Sequence, residues 1–338
     1  MKKEVTLKEV AKYAKVSTMT VSRVIHNKNV VSPRLRKRVE RAIKELNYIP
    51  NEWAQSFRSK NSRVVGLIVR DITNPYYSHF VRVIENEVKK HDLSLLLYDS
   101  GEKFELEKEA INLFLRKRVE GIIIVPFEEG IVPTHIENLK TRGIPFVILG
   151  KLPSAKTDCV TFQDVKASYL ATKYLIELGH KDIVHIRGPH NVVAIKSREE
   201  GFRKALEESG IPFRKNCVVE GGSLRKHGYE AVQQLLKKRK PPTAIFTFND
   251  LLAIGAMRAL REKGLKIPDD VSIVGFDDIE DSSYTEPPLT TIRQPIDKMA
   301  EAAIDLLLDK IQGKRSKKEF GEVSFEPFLI ERKSCRRL

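Results

Sequence analysis

Four groups of polar residues in this chain have the types and spacing to hold a small, hydroxyl-rich molecule. Arg70-Asp71-Ile72-Thr73-Asn74-Pro75 follows the apolar run 64–69, Asn249-Asp250 follows 244–248, and Asp277-Asp278 follows 271–276. Arg198 opens a helical stretch after Arg187-Gly188-Pro189, and Tyr76, Tyr77, Phe127 and Phe162 supply apolar faces. Planar carboxylate, amide and guanidinium groups beside aromatic rings are the chemistry of a sugar-like polyol site. One aspartate at a strand end is more often a helix cap than a ligand. Three such groups with an arginine favour the ligand. Reaction chemistry has no comparable support: no H-x-x-x-H, G-x-S-x-G or G-x-x-x-x-G-K-[ST] pattern occurs. His180 after Leu178-Gly179 reads as a structural turn residue. Cys159, Cys217 and Cys335 are scattered and form no C-x-x-C pair, which suits a reducing cytoplasm. No catalytic set, metal site or cofactor is expected.

A second chemistry sits at the front. The first 63 residues hold sixteen Lys/Arg and five Asp/Glu, so +11 of the net +15 lies there. Concentrated charge of this kind is the footprint of a nucleic-acid contact; the alternative is a solvated, lysine-rich surface. The local pattern adds to the charge. Thr6-Leu7-Lys8-Glu9 reads as a capping box, after which Leu7, Val10, Ala11 and Ala14 share one helical face. Ser17 is an N-cap candidate for a helix from Thr18 to about His26 that buries Val21, Val24 and Ile25. Thr18, Met19, Ser22 and Arg23 then face outward. Ser32 as cap and Pro33 in the first turn start a third helix with Leu35, Val39, Ala42, Ile43 and Leu46 as its apolar stripe. Two short helices around a tight turn, braced by a third, predict a helix-turn-helix whose second helix fits the major groove. Arg23 is the strongest base-reading candidate, because a guanidinium bonds guanine bidentately; Met19 suits shape or a thymine methyl.

The elements that must carry the first site lie beyond residue 63. Apolar runs at 64–69, 93–98, 121–126, 146–149, 183–186, 244–248 and 271–276 alternate with amphipathic helical stretches. Continuous apolar strands with intervening helices predict parallel sheets covered on both faces, with ligands bound beyond the strands' carboxyl ends. The start has no apolar signal-peptide core, and no apolar run is long enough to span a bilayer, so a cytoplasmic protein without a membrane partner is expected. Between front and body, Asn51 can cap a two-turn helix too short to be stable alone.

The stretches VTLKEVAKYAKVSTMTVSRVI (5–25) and VSPRLRKRVERAIKELNYIPN (31–51) resemble the headpiece of the lac repressor/galactose repressor family, and the similarity extends over nearly the whole chain. VGFDDIEDSS (274–283) followed by PPLTTI (287–292) is especially close to the lac-type effector domain. The resemblance implies an all-α helix-turn-helix headpiece at 1–49 and a hinge helix and linker at 50–62. It implies a two-lobed α/β domain at 63–338, like periplasmic sugar-binding proteins. Lobe 1 would take about 63–162 and 293–323, lobe 2 about 163–292 and 324–338, with crossings near Gln163, Arg293 and Ser324.

By the same resemblance Thr18, Met19 and Arg23 read bases and Ser17 and Thr20 meet phosphates, with Thr6 and Ser22 also on the DNA side. Asn51, Ala54 and Phe57 belong to a hinge helix that enters the minor groove. Phe57 stands where a leucine usually wedges between bases; the alternative is a linker whose Trp53 and Phe57 pack on the body. Arg198, Asn249 and Asp277 would grip effector hydroxyls. Pro75-Tyr76 would close the pocket, with Asp71, Phe127 and Phe162 beside it. Three departures stand out: Lys15 where relatives carry a turn glycine, Gln163-Asp164 in place of Asp-Asn, and Gly150-Lys151 in place of an acidic residue. The last two argue against a lac-type β-galactoside.

The expected protein is a homodimeric transcription repressor that binds double-stranded operator DNA under control of a small sugar effector, and not an enzyme. The tail lacks the heptads of a tetramer. An alternative is a corepressor-dependent regulator, tightened by a phosphosugar or a phosphorylated carrier protein. Another is a sugar-binding protein without a DNA role.

Overall fold

The computed structural model describes residues 5–25, 30–48, 62–126, 134–152, 156–189, 193–316 and 319–338. The chain divides into two compact units, Met1–Ser62 and Arg63–Leu338.

In the first unit, α1 (Leu7–Ala14), α2 (Thr18–Ile25) and α3 (Pro33–Glu45) enclose a small core of Val10, Ala11, Ala14, Val21, Val24, Val39 and Ala42. The capping box forms as the sequence predicts: Thr6 N donates to Glu9 Oε2 at 2.7 Å, and Glu9 N to Thr6 Oγ1 at 3.3 Å. Ser17 caps α2, its Oγ accepting from Thr20 N at 3.1 Å. Ser32 departs from expectation. It stands at the N-cap of α3 and Pro33 occupies the first turn, but its side chain makes no cap hydrogen bond. Its carbonyl accepts from Leu35 N and Arg36 N instead, both at 3.0 Å, and the residue is exposed.

The second unit holds two six-stranded sheets. The first runs β11-β5-β4-β3-β1-β2 and the second β12-β10-β9-β8-β6-β7. Here β1 is Val64–Val69, β2 Ser94–Asp99, β3 Gly121–Ile124, β4 Phe146–Leu149, β5 Asp158–Phe162 and β6 Ile183–Ile186. The rest are β7 Val218–Val219, β8 Ala244–Thr247, β9 Ser272–Asp277, β10 Thr290–Arg293, β11 Glu322–Phe325 and β12 Phe328–Ile330. All pairs are parallel except β12, which lies antiparallel to β10. Both faces of the first sheet are buried: Val65, Leu67 and Val69 pack with Phe80, Ile84 and Ile304, while Ile68, Ile122 and Ile124 pack with Phe114 and Ile136. This double burial explains why the inner strands read as uninterrupted apolar runs. The strands that the sequence did not announce, β5, β7, β10, β11 and β12, are edge or next-to-edge strands, and several carry polar residues. Asp158, Thr161, Thr290 and Thr291 are buried there through hydrogen bonds rather than hydrophobicity.

The chain passes between the sheets three times. β5 ends at Phe162 and α7 (Asp164–Glu177) packs on the second sheet. β10 ends at Arg293 and α12 (Ile296–Ile311) returns to the first. The third passage falls at 326–327, two residues past Ser324, because Ser324 and Phe325 still pair with Thr161 and Phe162. The remaining helices are α4 (Pro75–Lys90), α5 (Phe104–Lys117), α6 (Thr134–Thr141), α8 (Val193–Glu208), α9 (Arg225–Lys238), α10 (Asp250–Glu262) and α11 (Asp281–Tyr284). Close approach of α9 and α10 needs glycine: a Cβ on Gly255 would lie 1.8 Å from Arg225 O. That approach brings the loop before α9 against the start of α10.

Candidate functional site

On the first unit, Ser17, Thr18, Met19 and Arg23 are exposed along α2, with Met19 61 % accessible, while Thr20 and Ser22 are half-buried. Ser17 and Thr20 share a hydroxyl hydrogen bond of 2.9 Å. Thr6 Oγ1 also donates to Glu9 Oε2 at 2.9 Å, so the Thr6 hydroxyl serves the helix end. The start of α2 presents backbone N–H groups and hydroxyls suited to phosphate, and Arg23 extends from its last turn. Asn51, Ala54, Phe57 and the expected hinge helix lie outside the described residues.

In the second unit a cavity of about 720 Å³ opens beyond the carboxyl ends of both sheets. Arg198 is its centre. Its Nε donates to Asp164 Oδ1 at 2.8 Å and its Nη1 to the Phe248 carbonyl. The guanidinium lies 3.5 Å from the Phe276 ring centroid and 4.4 Å from that of Phe248. Arg198 is therefore oriented by an ion pair, a carbonyl and two rings before any ligand arrives. Asp277 ends β9 in a left-handed conformation, φ 109°, and accepts from Gln294 Nε2 at 2.8 Å. Gln294 Oε1 accepts from Tyr76 OH at 3.3 Å. A single chain thus runs from Tyr76 in one lobe, through the second passage, to Asp277 in the other. Asn249 caps α10 through Oδ1 (2.8 Å to Leu252 N) and donates Nδ2 to Ser223 O at 3.0 Å. Across the mouth, Ser223 Oγ donates to Glu102 Oε2 at 3.0 Å, and Arg70 stands 3.6 Å from Glu102 Oε1. Tyr76, Tyr77, Phe80, Phe162 and Phe248 supply apolar wall.

The comparisons match both units. The model described as "Bacterial regulatory proteins, lacI family" covers residues 6–51, and that of "Periplasmic binding proteins and sugar binding domain of LacI family" covers 62–330. The chain belongs to the lacI family. Among curated relatives, the HTH-type transcriptional repressor PurR of Haemophilus influenzae (strain PittEE) is 37 % identical over 333 residues, 98 % of each chain. The lac repressor dimer bound to operator and the anti-inducer ONPF superposes with a TM-score of 0.88 at 32 % identity, covering 99 % of this chain and all of that one. A LacI family transcriptional regulator from Enterococcus faecium with bound ribose gives 0.73 at 34 % identity, over 81 % of this chain and 99 % of that one. As a member of the lacI family, the protein is a DNA-binding transcriptional repressor with a helix-turn-helix headpiece and a two-lobed α/β body. Among the described residues, no helix is long and apolar enough to cross a membrane.

Of the ligand residues expected from the sequence, this lacI-family chain brings Tyr76, Phe162, Arg198, Asn249 and Asp277 to the cleft. Asp71 and Pro75 are not in its lining. The Asp71 carboxylate instead accepts from Thr73 N at 2.9 Å and Thr73 Oγ1 at 2.6 Å, closing a turn, and Pro75 fills the first position of α4 behind the Asn74 cap. Phe127 lies outside the described residues. Arg70, named in the sequence only as part of a strand-end polar cluster, also lines the cleft; sequence reasoning overlooked the lining residues Glu102, Ser223 and Gln294 and treated Asp164 only as a departure. Arg70 and Glu102 do follow strand ends, which was the available signal. Ser223 and Gln294 had none, since a loop and a passage place them.

Burial without enough compensating cation marks two carboxyls. Desolvation pushes Asp277 up to about 8 against the pull of Arg198. It pushes Asp250, fully buried, up to about 7 despite hydrogen bonds from Thr291, Ser282 and Ile279 N. In the unfolded chain both titrate near 4. Between those values the folded protein holds more protons than the unfolded one, so this contribution to stability is complete below about pH 4 and is lost as pH rises through 7 to 8. Thermal unfolding of the chain with Asp277→Asn should show a shallower fall in Tm from pH 5 to 8 than the parent; identical slopes would remove Asp277 from the linkage.

Proposed function

We propose that this chain is a homodimeric, cytoplasmic repressor whose operator affinity is set by a small sugar or sugar derivative bound between its lobes and released unchanged. The carrying observation is the Tyr76–Gln294–Asp277 chain beside the oriented Arg198 guanidinium. Arg198, Asn249 and Asp277 lie in the second lobe and Tyr76 in the first, so ligand hydroxyls that meet these three groups while the sugar packs on Tyr76 bridge the cleft, and occupancy acts on lobe closure. Aromatic walls cover the sugar's apolar faces. A ligand changes DNA affinity only through unequal affinity for the two closure states. Thr18, Met19 and Arg23 read an operator half-site in the major groove, and the dimer spans two half-sites about one turn apart.

The test uses the full chain. Duplexes are first selected from a random library, then bound in the presence of neutral sugars, phosphosugars and nucleobases while Tm is followed. The expected result is one neutral sugar class that raises Tm by mass action and shifts the affinity for the selected duplex. The direction of the shift separates induction from corepression. A ligand that raises Tm without moving DNA affinity would refute control through the cleft, and the absence of any preferred duplex would refute the operator role.

A further inference from the structure

We propose that Arg38 is a positioning residue for DNA recognition: it clamps the turn of the helix-turn-helix in a left-handed conformation that this chain builds without glycine. Lys15 ends α1 at φ 49° and ψ 52°. Its N–H bonds to Lys12 O at 3.2 Å, and Val16 N–H to Ala11 O at 3.0 Å. These are the paired bonds of a Schellman helix end, where glycine is the usual residue. A side chain with a Cβ is disfavoured there, and lysine lacks the short polar group with which asparagine or aspartate bonds locally.

The compensation comes from α3. Arg38 Nη2 donates to Ala14 O at 2.6 Å and to Lys15 O at 3.3 Å. Both carbonyls belong to the helix end, which leaves its last acceptors without intrahelical donors. A cation there also meets the negative end of the α1 dipole. One guanidinium therefore holds the carbonyls of the left-handed residue and of the residue before it, and ties the turn to α3. The Ser17 cap of α2 follows two residues after Lys15, so the direction of Thr18, Met19 and Arg23 is set by the same turn. A headpiece without the clamp spends part of its time with the turn relaxed, and apparent DNA affinity falls by the fraction of competent molecules.

The inference rests on the DNA-binding role, and its test separates the two. With the full chain and a duplex selected by it from a random library, Arg38→Gln should weaken binding about fivefold, a modest loss because Arg38 is exposed. In a Lys15→Gly background, where the left-handed turn needs no clamp, the same change should cost less than about twofold. The salt slope should stay unchanged in both. Amide exchange of Val16 in the free protein supplies a readout independent of DNA: faster in Arg38→Gln, restored in the double variant. Equal losses in both backgrounds, with a salt slope shallower by about one, would make Arg38 a phosphate contact and overturn the clamp. So would a lowered Tm with unchanged DNA affinity, which would mark a role in folding alone. A parent chain that selects no duplex would sink the DNA-binding reading itself.

Discussion

Arg198→Ala is expected to weaken effector binding by two orders of magnitude or more and to leave operator binding unresponsive to the effector. Arg198 is 6 % exposed and makes its bonds inside the cleft. Its removal leaves Asp164, half-buried, near the buried Asp277 with the shared cation gone. Both carboxyls are already raised by burial, and for both Arg198 is the largest pull back down, joined at Asp277 by the Gln294 hydrogen bond. The charged hydrogen bonds that the guanidinium can donate to a ligand are worth about 1.5–3 kcal/mol each, each 1.4 kcal/mol being about tenfold in affinity, and breaking the pair with Asp164 destabilises the fold by up to about 3–5 kcal/mol. Part of that loss will appear as a lower Tm of the body, so calorimetric titration of the effector must be paired with unfolding curves. Arg198→Lys separates charge from shape. A lysine keeps the charge but has no planar group to lie between Phe276 and Phe248, so it should recover stability more than ligand affinity. Effector affinity of the alanine variant within threefold of the parent would remove Arg198 from the centre of the site.

The second large effect belongs to the other end of the molecule. Arg23→Ala should flatten discrimination at one base pair of each half-site, by about 1–3 kcal/mol per bidentate contact. In the proposed dimer the two half-sites lose together, so the selected duplex suffers more than one contact's worth while unrelated duplexes bind almost as before. Arg23 is exposed on α2, on the same helix as Thr18 and Met19. Competition binding against duplexes substituted one base pair at a time is the measurement. A uniform loss over all sequences, with a salt slope reduced by about one, would place Arg23 on phosphate instead.

Much of this architecture was written locally in the chain. Helix ends declare themselves because caps bond over three residues or fewer: Thr6 with Glu9, Ser17 with Thr20, Asn74 with Tyr76 and Asn249 with Leu252. Inner strands declare themselves because burial on both faces leaves only apolar choices. The polar strands β5 and β10 gave no such signal, since their buried Asp158, Thr290 and Thr291 are stabilised by partners far along the chain.

By itself, then, the sequence determined the cationic three-helix front, the alternation that builds two parallel sheets and the polar clusters at their carboxyl ends. Tertiary structure alone decided which members of those clusters meet. Arg70 enters the cleft where Asp71 turns away, because the Asp71 carboxylate is held by Thr73 N and Oγ1 in the turn before α4. Arg198 finds Asp164, Ser223 finds Glu102 and Tyr76 finds Gln294 across 34, 121 and 218 residues. Helix packing within the second lobe makes the first contact and the passages between sheets make the other two, and local propensity has no access to contacts so remote.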